Sequence, residues 1–398
     1  MSVRLADVEA VRPLLADVVE RTPLQHSRWL SSKAGYQVQL KCENLQRTGS
    51  FKIRGAYVRI ARLSPEERAL GVVAASAGNH AQGVALAASL LGARATIFMP
   101  DGAALPKVAA TRGYGADIQF AGTGVTEALV HARAFAERTG AVLIHPFDHE
   151  DILAGQGTVG LEIIEQLPDV RTVLVPLGGG GLAAGISLLR ERRPDVKVVG
   201  VQAESASAYP GSLAAGHPVA GVMGQTMADG IAVAEPGVVP FEVIRDQLDD
   251  VLTVSEDSMS TALIGLLERA KMLVEPSGAA GVAALLDDPS RFEGPVVPVL
   301  SGGNIDPLVL LDVIRHGLSA ADRFMRLRVR FTDRPGELMR LLTDLASMQV
   351  NVLDVAHDRE AEGLGVREVE VSVNVATRGP AHRAEVVERL PQLGHRVV

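Results

Sequence analysis

Val173-Leu174-Val175-Pro176-Leu177 runs directly into Gly178-Gly179-Gly180-Gly181-Leu182, and a helical stretch follows to Glu191. An apolar strand, a glycine loop and a helix in that order form one strand–helix unit of a parallel sheet. The loop exposes several backbone amides with no side chain in the way. With the free N–H groups of a helix start, they make a cradle for a phosphate. A tight turn would need one or two glycines, not four. The same stretch also satisfies a dinucleotide fingerprint through Gly178, Gly180 and Ala183, with Glu204 placed for a ribose contact. A nicotinamide-dependent oxidoreductase is therefore a second reading of this segment.

Outward from that unit the alternation repeats. Short apolar runs at Val38–Leu40, Val72–Ala75, Ala95–Met99, Ala141–Ile144, Lys197–Val201, Val251–Val254 and Val296–Leu300 predict strands. Helical spacing over Gly78–Leu91, Val125–Arg138, Leu182–Glu191 and Asp257–Met272 predicts helices between them. The fold class is α/β with mostly parallel sheet, and such sheets place ligands at loops after the strands' carboxyl ends. Tyr209–Pro240 is rich in Gly and Pro and predicts a long functional loop. Gly317–Asp322 reads as a linker. Beyond it, strands over Met325–Phe331, Val350–Asp358, Arg367–Val375 and His395–Val398 alternate with helices over Pro335–Met348 and Ala381–Leu390. Pro335 would open its helix, and the order βαββαβ is ferredoxin-like.

Composition bounds the function. At roughly 150 residues per unit, 398 residues suggest about three compact units. With 47% hydrophobic and 22% charged residues the chain can bury a large core. A net charge of −8 argues against nucleic acid or an anionic membrane as partner. Cys42 stands alone, which excludes an intrachain disulfide and a cysteine-held metal cluster. Gly71–Ala93 lacks charges but carries Asn79, His80 and Gln82, so it predicts a buried strand and helix, not a membrane span. The expected location is the cytoplasm.

Three further loops carry polar groups at strand or helix ends. Gly49-Ser50-Phe51-Lys52 looks like a helix entry, and Lys52 is one of only six lysines. A free lysine titrates near about 10.4 and becomes a base or imine former only when burial or nearby cations lower that value. Arg54 and the helix start are candidate contributors. Ser76-Ala77-Gly78-Asn79-His80 follows the Val72–Ala75 strand and would offer amides and side-chain donors to an anion such as a carboxylate. An ordinary Ser or Asn helix cap explains it equally well in isolation. Ser301-Gly302-Gly303-Asn304 ends the last strand of the α/β region and adds one hydroxyl.

The four motifs together resemble the fold-type II pyridoxal-phosphate (PLP) enzymes, of the tryptophan synthase β-like kind, and within them the threonine ammonia-lyases. The resemblance implies a large PLP-binding domain of residues 1–42 and 148–318, a small α/β domain of residues 43–147, and a C-terminal ACT-like regulatory domain of residues 319–398. It implies that Lys52 carries the cofactor, Phe51 packs beside its ring and Asn79 bonds the ring hydroxyl. Gly178, Gly179, Gly180, Gly181 and Leu182 would hold the phosphate, and Ser301 would face the ring nitrogen. Ser76, Ala77, Gly78, Asn79 and His80 would hold the substrate carboxylate. The implied reaction converts L-threonine to 2-oxobutanoate and ammonia, and L-serine to pyruvate, with a serine or 3-hydroxyaspartate dehydratase as the alternative. Related racemases carry serine where this chain has Ala77. Metal-binding relatives use a Glu, a carbonyl and an Asp where this chain has Glu204, Ala208 and Pro210, so no metal is expected. The resemblance also implies a homotetramer and a branched-chain amino-acid effector on the C-terminal domain.

Overall fold

A computed structural model describes residues 3–320 and 322–398 of the chain. It divides into two units, Met1–Val309 and Leu310–Val398. Among the described residues no helix is long and apolar enough to cross a membrane.

After an opening helix, Leu5–Leu15, the first unit carries an antiparallel pair, β1 (Leu24–His26) and β2 (Gln39–Lys41). One parallel sheet follows, built from β3 (Val72–Ala75), β4 (Ala95–Met99), β5 (Asp117–Phe120) and β6 (Val142–Leu143) in the order β5-β4-β3-β6. A second holds β7 (Thr172–Pro176), β8 (Lys197–Ala203), β9 (Asp250–Val254) and β10 (Val296–Pro298) in the order β10-β7-β8-β9. β3 and β7 are buried along their whole length, as strands covered on both faces must be. That double burial explains why they stand out as unbroken apolar runs. β5 lies at a sheet edge, alternates Asp-Ile-Gln-Phe and is half-exposed, so it lacks such a run.

One helix holds the two sheets' functional ends in register. Glu150–Gln166 is buried from Asp151 to Ile164. At Gly155 it lies against the backbone of helix Lys52–Ala61: a methyl group there would stand 2.6 Å from the Gly55 Cα. Two residues on, it packs against the helix that leaves the four-glycine loop, Gly181–Ser187. Small residues permit these close crossings, which larger side chains would force apart.

A buried ionic cluster ties the same helix to the chain before Lys52. Arg54 is fully buried, and its guanidinium donates to Glu43 at 2.8 and 2.9 Å and to Glu162 at 2.6 and 3.2 Å. Lys41 Nζ completes the set with Glu162 Oε2 at 2.6 Å. Two cations and two anions balance, and Thr22 and Thr158 supply further hydrogen bonds.

The second unit carries β11 (Phe324–Thr332), β12 (Asn351–Asp358), β13 (Glu368–Ala376) and β14 (Arg396–Val397) in an antiparallel sheet of order β12-β13-β11-β14. Helices Glu337–Ser347 and Pro380–Gln392 complete βαββαβ, and its own core includes Leu327, Val329, Leu341, Leu345, Val371 and Leu390.

Four expectations are corrected. The stretch read as a linker is helical as far as Ala320, because helix Pro307–Ala320 runs through Gly317. The spacing of Leu310, Val313, Ile314 and Leu318 sustains it, and one glycine costs only about 1 kcal/mol. Pro335 lies in the turn before its helix, which starts at Glu337 after a left-handed Gly336. The Tyr209–Pro240 segment is not all loop: it contains helix Tyr209–Ala215 and a 3-10 turn at Asp229–Ile231. The Asp257–Met272 helix is likewise split, with a π-helical turn over Leu266–Ala270.

Candidate active site

The carboxyl ends of β3, β7 and β10 converge on a cavity of about 260 Å³. Its lining includes Phe51, Lys52, the loop from Ser76 to His80, Gly178 to Leu182 and Ser301. All four sequence motifs therefore meet in one place. Pro146, Phe147, Lys107, Asp229, Glu275 and Ser277 complete it, and none of these was singled out from the sequence. A larger hollow of about 680 Å³ along residues 224–227 is an open surface depression that adjoins the cavity at Asp229 and Ala232.

The Lys52 segment is pinned to the end of the last strand. Ser50 bridges Gly302, and the Phe51 amide donates to the Ser301 carbonyl at 3.2 Å. Lys52 then begins its helix. Its amine donates to the Pro146 carbonyl at 2.9 Å and lies 5.2 Å from the centre of the Phe51 ring. Burial lowers the amine's pKa to about 8, against a smaller opposing pull from Glu275. Arg54 does not contribute, contrary to expectation: its charge is spent on Glu43 and Glu162.

The glycine loop fits an anionic group. Among the described residues the amides of Gly178 through Leu182 donate to no protein acceptor. Gly180 has φ +102, and a methyl group there would also collide with the Tyr209 hydroxyl. The loop's shape therefore requires glycine at that position. The Phe147 ring packs against Gly179, and its Cβ and backbone pack against Gly181. The loop after β3 resembles it on a smaller scale. Among the described residues the amides of Ala77, Asn79 and His80 donate to no protein acceptor, while Ser76 Oγ accepts from the Gly78 amide at 3.1 Å.

Two predicted residues have their side chains otherwise engaged. The His80 ring lies 2.8 Å from the Ile144 carbonyl, and burial pulls its pKa down to about 3. It is neutral and offers an anion its backbone, not a charge. The Asn79 amide donates to Glu275 Oε1 at 2.7 Å, and its oxygen accepts from Asn304 at 2.8 Å. Glu275 precedes Pro276 at the start of helix Pro276–Asp287, and burial raises its pKa to about 7. The Glu275-Pro276-Ser277-Gly278 helix entry is the signal that could have marked it. The buried Ser277 hydroxyl, also on the cavity wall, has no hydrogen-bond partner. Among the described residues there is no cluster of three His, Cys, Asp or Glu able to hold a metal ion.

An amine with a lowered pKa, a run of free amides and a neutral serine at a strand end suit PLP: a carbonyl to capture, a phosphate to cradle and a ring nitrogen to face. The comparisons with known proteins agree. Residues 15–302 match the family model described as pyridoxal-phosphate dependent enzyme. The chain is 46% identical over 381 residues to an L-threonine ammonia-lyase of Geobacter sulfurreducens, covering 95% of each chain. The processed form of threonine deaminase isoform 2 from Solanum lycopersicum superposes with a TM-score of 0.75 at 37% identity, covering 78% of this chain and 92% of that one. Maize serine racemase gives the same TM-score at 34% identity, covering 80% and 99%.

Proposed function

The chain belongs to the family of pyridoxal-phosphate dependent enzymes, and from that premise we propose that it is a lyase converting L-threonine to 2-oxobutanoate and ammonia, and L-serine to pyruvate. The similarity to an L-threonine ammonia-lyase along 95% of both chains carries this reading. Family membership replaces the nicotinamide reading of Gly178–Ala183.

The residues present fit the following roles. Lys52 would hold the cofactor through its carbonyl carbon, and Gly178 through Leu182 would hold its phosphate. Phe51 packs beside the ring. Asn79, held by Glu275 and Asn304, faces the ring hydroxyl. Bound there, the cofactor supplies an electron sink for the bond broken at the substrate's α-carbon. The loop from Ser76 to His80 orients the substrate carboxylate. The Lys52 amine would be the base that takes the α-proton. Burial lowers that amine's pKa to about 8 and so favours its neutral form relative to an ordinary lysine. Ser301 is a neutral hydroxyl and does not hand a full proton to the ring nitrogen, which suits loss of a β-substituent over long-lived charge at the α-carbon.

Likeness to a serine racemase raises a second reading. Reprotonation from the opposite face needs an acid, and Ala77 has none to give. Racemisation is therefore the minor activity. Residues 319–398 form an ACT-like module that binds a branched-chain amino acid, the enzyme is a homotetramer, and it works in the cytoplasm. The Geobacter relative's length matches a chain that includes this module. Steady-state release of 2-oxobutanoate and pyruvate, with and without isoleucine or valine, tests the whole reading. Production of D-serine faster than either keto acid would sink it.

A further inference from the structure

The cavity holds a second cation that the reaction above does not use. Lys107 belongs to helix Leu105–Gly113, and its Nζ donates to Asp229 Oδ2 at 2.9 Å. Both residues line the cavity. A methyl group on Gly78 would stand 3.9 Å from Lys107 Nζ, so the ammonium lies beside the proposed carboxylate loop. The Lys107 side chain is 16% exposed and Asp229 is 65% exposed, at the side where the cavity adjoins the open hollow. A half-exposed pair of this kind contributes little to stability, so its place beside the substrate needs another account.

We propose that Asp229 sets substrate specificity by occupying Lys107. The inference rests on the lyase reading and defines which β-substituents that lyase accepts. Paired, Lys107 has no charge to spare, and a second substrate carboxylate would meet Asp229 without compensation. A neutral β-substituent, as in threonine or serine, meets no such penalty. Specificity is a difference of affinities, and an opposed charge is an efficient way to create it. With Asp229 neutralised, Lys107 becomes a site for the β-carboxylate of 3-hydroxyaspartate. The bonds made and broken do not change. The α-proton and the β-hydroxyl leave as water, and hydrolysis of the resulting enamine returns that water and releases ammonia. The product is oxaloacetate in place of 2-oxobutanoate.

The test uses PLP-loaded full-length enzyme: wild type, Asp229→Asn, Asp229→Ser, and Lys107→Gln combined with Asp229→Asn. Two quantities are measured: the ratio of kcat/KM for 3-hydroxyaspartate to that for threonine, and the Kd of radiolabelled L-aspartate by equilibrium dialysis. Each single variant should raise the ratio and tighten L-aspartate by roughly tenfold or more, a gain of one well-placed charge contact. The double variant should lose both gains. An unchanged ratio and Kd in both single variants overturns the proposal, and so does a gain that survives loss of Lys107. A wild type that makes no 2-oxobutanoate defeats the lyase reading alone, because the dialysis still decides the charge rule.

Discussion

Lys52 gains its chemistry from where its amine is put. Wrapped by Phe51, Pro146 and the cavity wall, it loses water and its pKa falls to about 8. Only the neutral amine attacks a carbonyl, so capture of PLP by the apoprotein should speed up about tenfold per pH unit below 8 and level off above it. Stopped-flow absorbance across pH 6 to 10 measures this, and a flat profile would remove burial as the cause. Lys52→Ala should abolish 2-oxobutanoate production and the visible band that borohydride bleaches, with the circular dichroism unchanged. Glu275 is the opposite case. Burial raises its pKa to about 7 from an ordinary 4.5, so the folded state holds a proton that the unfolded chain releases. Its contribution to stability is present below about 4.5 and is lost as pH rises towards 7. In Glu275→Gln that part of the slope should vanish when Tm is followed across the same range.

Elements, not single contacts, hold the lysine opposite the four-glycine loop. Helix Glu150–Gln166 touches the lysine helix at Gly155 and the loop's helix two residues later, and Glu162 on the same helix grips Arg54. Arg54→Met would leave Glu43 and Glu162 facing each other in the interior. We expect a loss of about 3–5 kcal/mol in urea unfolding, since stranded buried charges are far more costly than a missing pair. Gly180→Ala acts on the four-glycine loop instead. The left-handed backbone costs a non-glycine residue about 1–2 kcal/mol, and a methyl group there collides with Tyr209. PLP affinity, titrated by absorbance, should weaken roughly tenfold or more, with the rest of the fold intact.

The whole molecule is two units with separate cores. The second closes its sheet around Val329, Val371 and Leu345 with no residue before Leu310 in that core. Residues 310–398 expressed alone should give a dispersed amide spectrum by NMR, and a collapsed spectrum would show that this core depends on the first unit. Isoleucine or valine added to that fragment should raise its Tm if the proposed effector site lies within it.

Much of this was legible in one dimension. Buried parallel strands must be apolar on both faces, so β3 and β7 announced themselves, and each ended in a loop that opens a helix with free amides. Lys52, Asn79, the four glycines and Ser301, all named from sequence, line one cavity in the fold. Edge strand β5 was not legible, because a half-wet strand needs no apolar run. Glu275, Lys107 and Asp229 were also hidden, since a lone carboxylate or ammonium is ordinary on any surface. Local sequence determined the strands, the turns and the identities of the reactive groups, because backbone geometry and solvation act on neighbours along the chain. Only tertiary structure decided which charges meet: that Arg54 serves Glu43 and Glu162 and not Lys52, that Glu275 holds Asn79, and that Asp229 covers Lys107. Those pairings depend on distances across the fold and on the loss of water between groups, which sequence spacing does not encode.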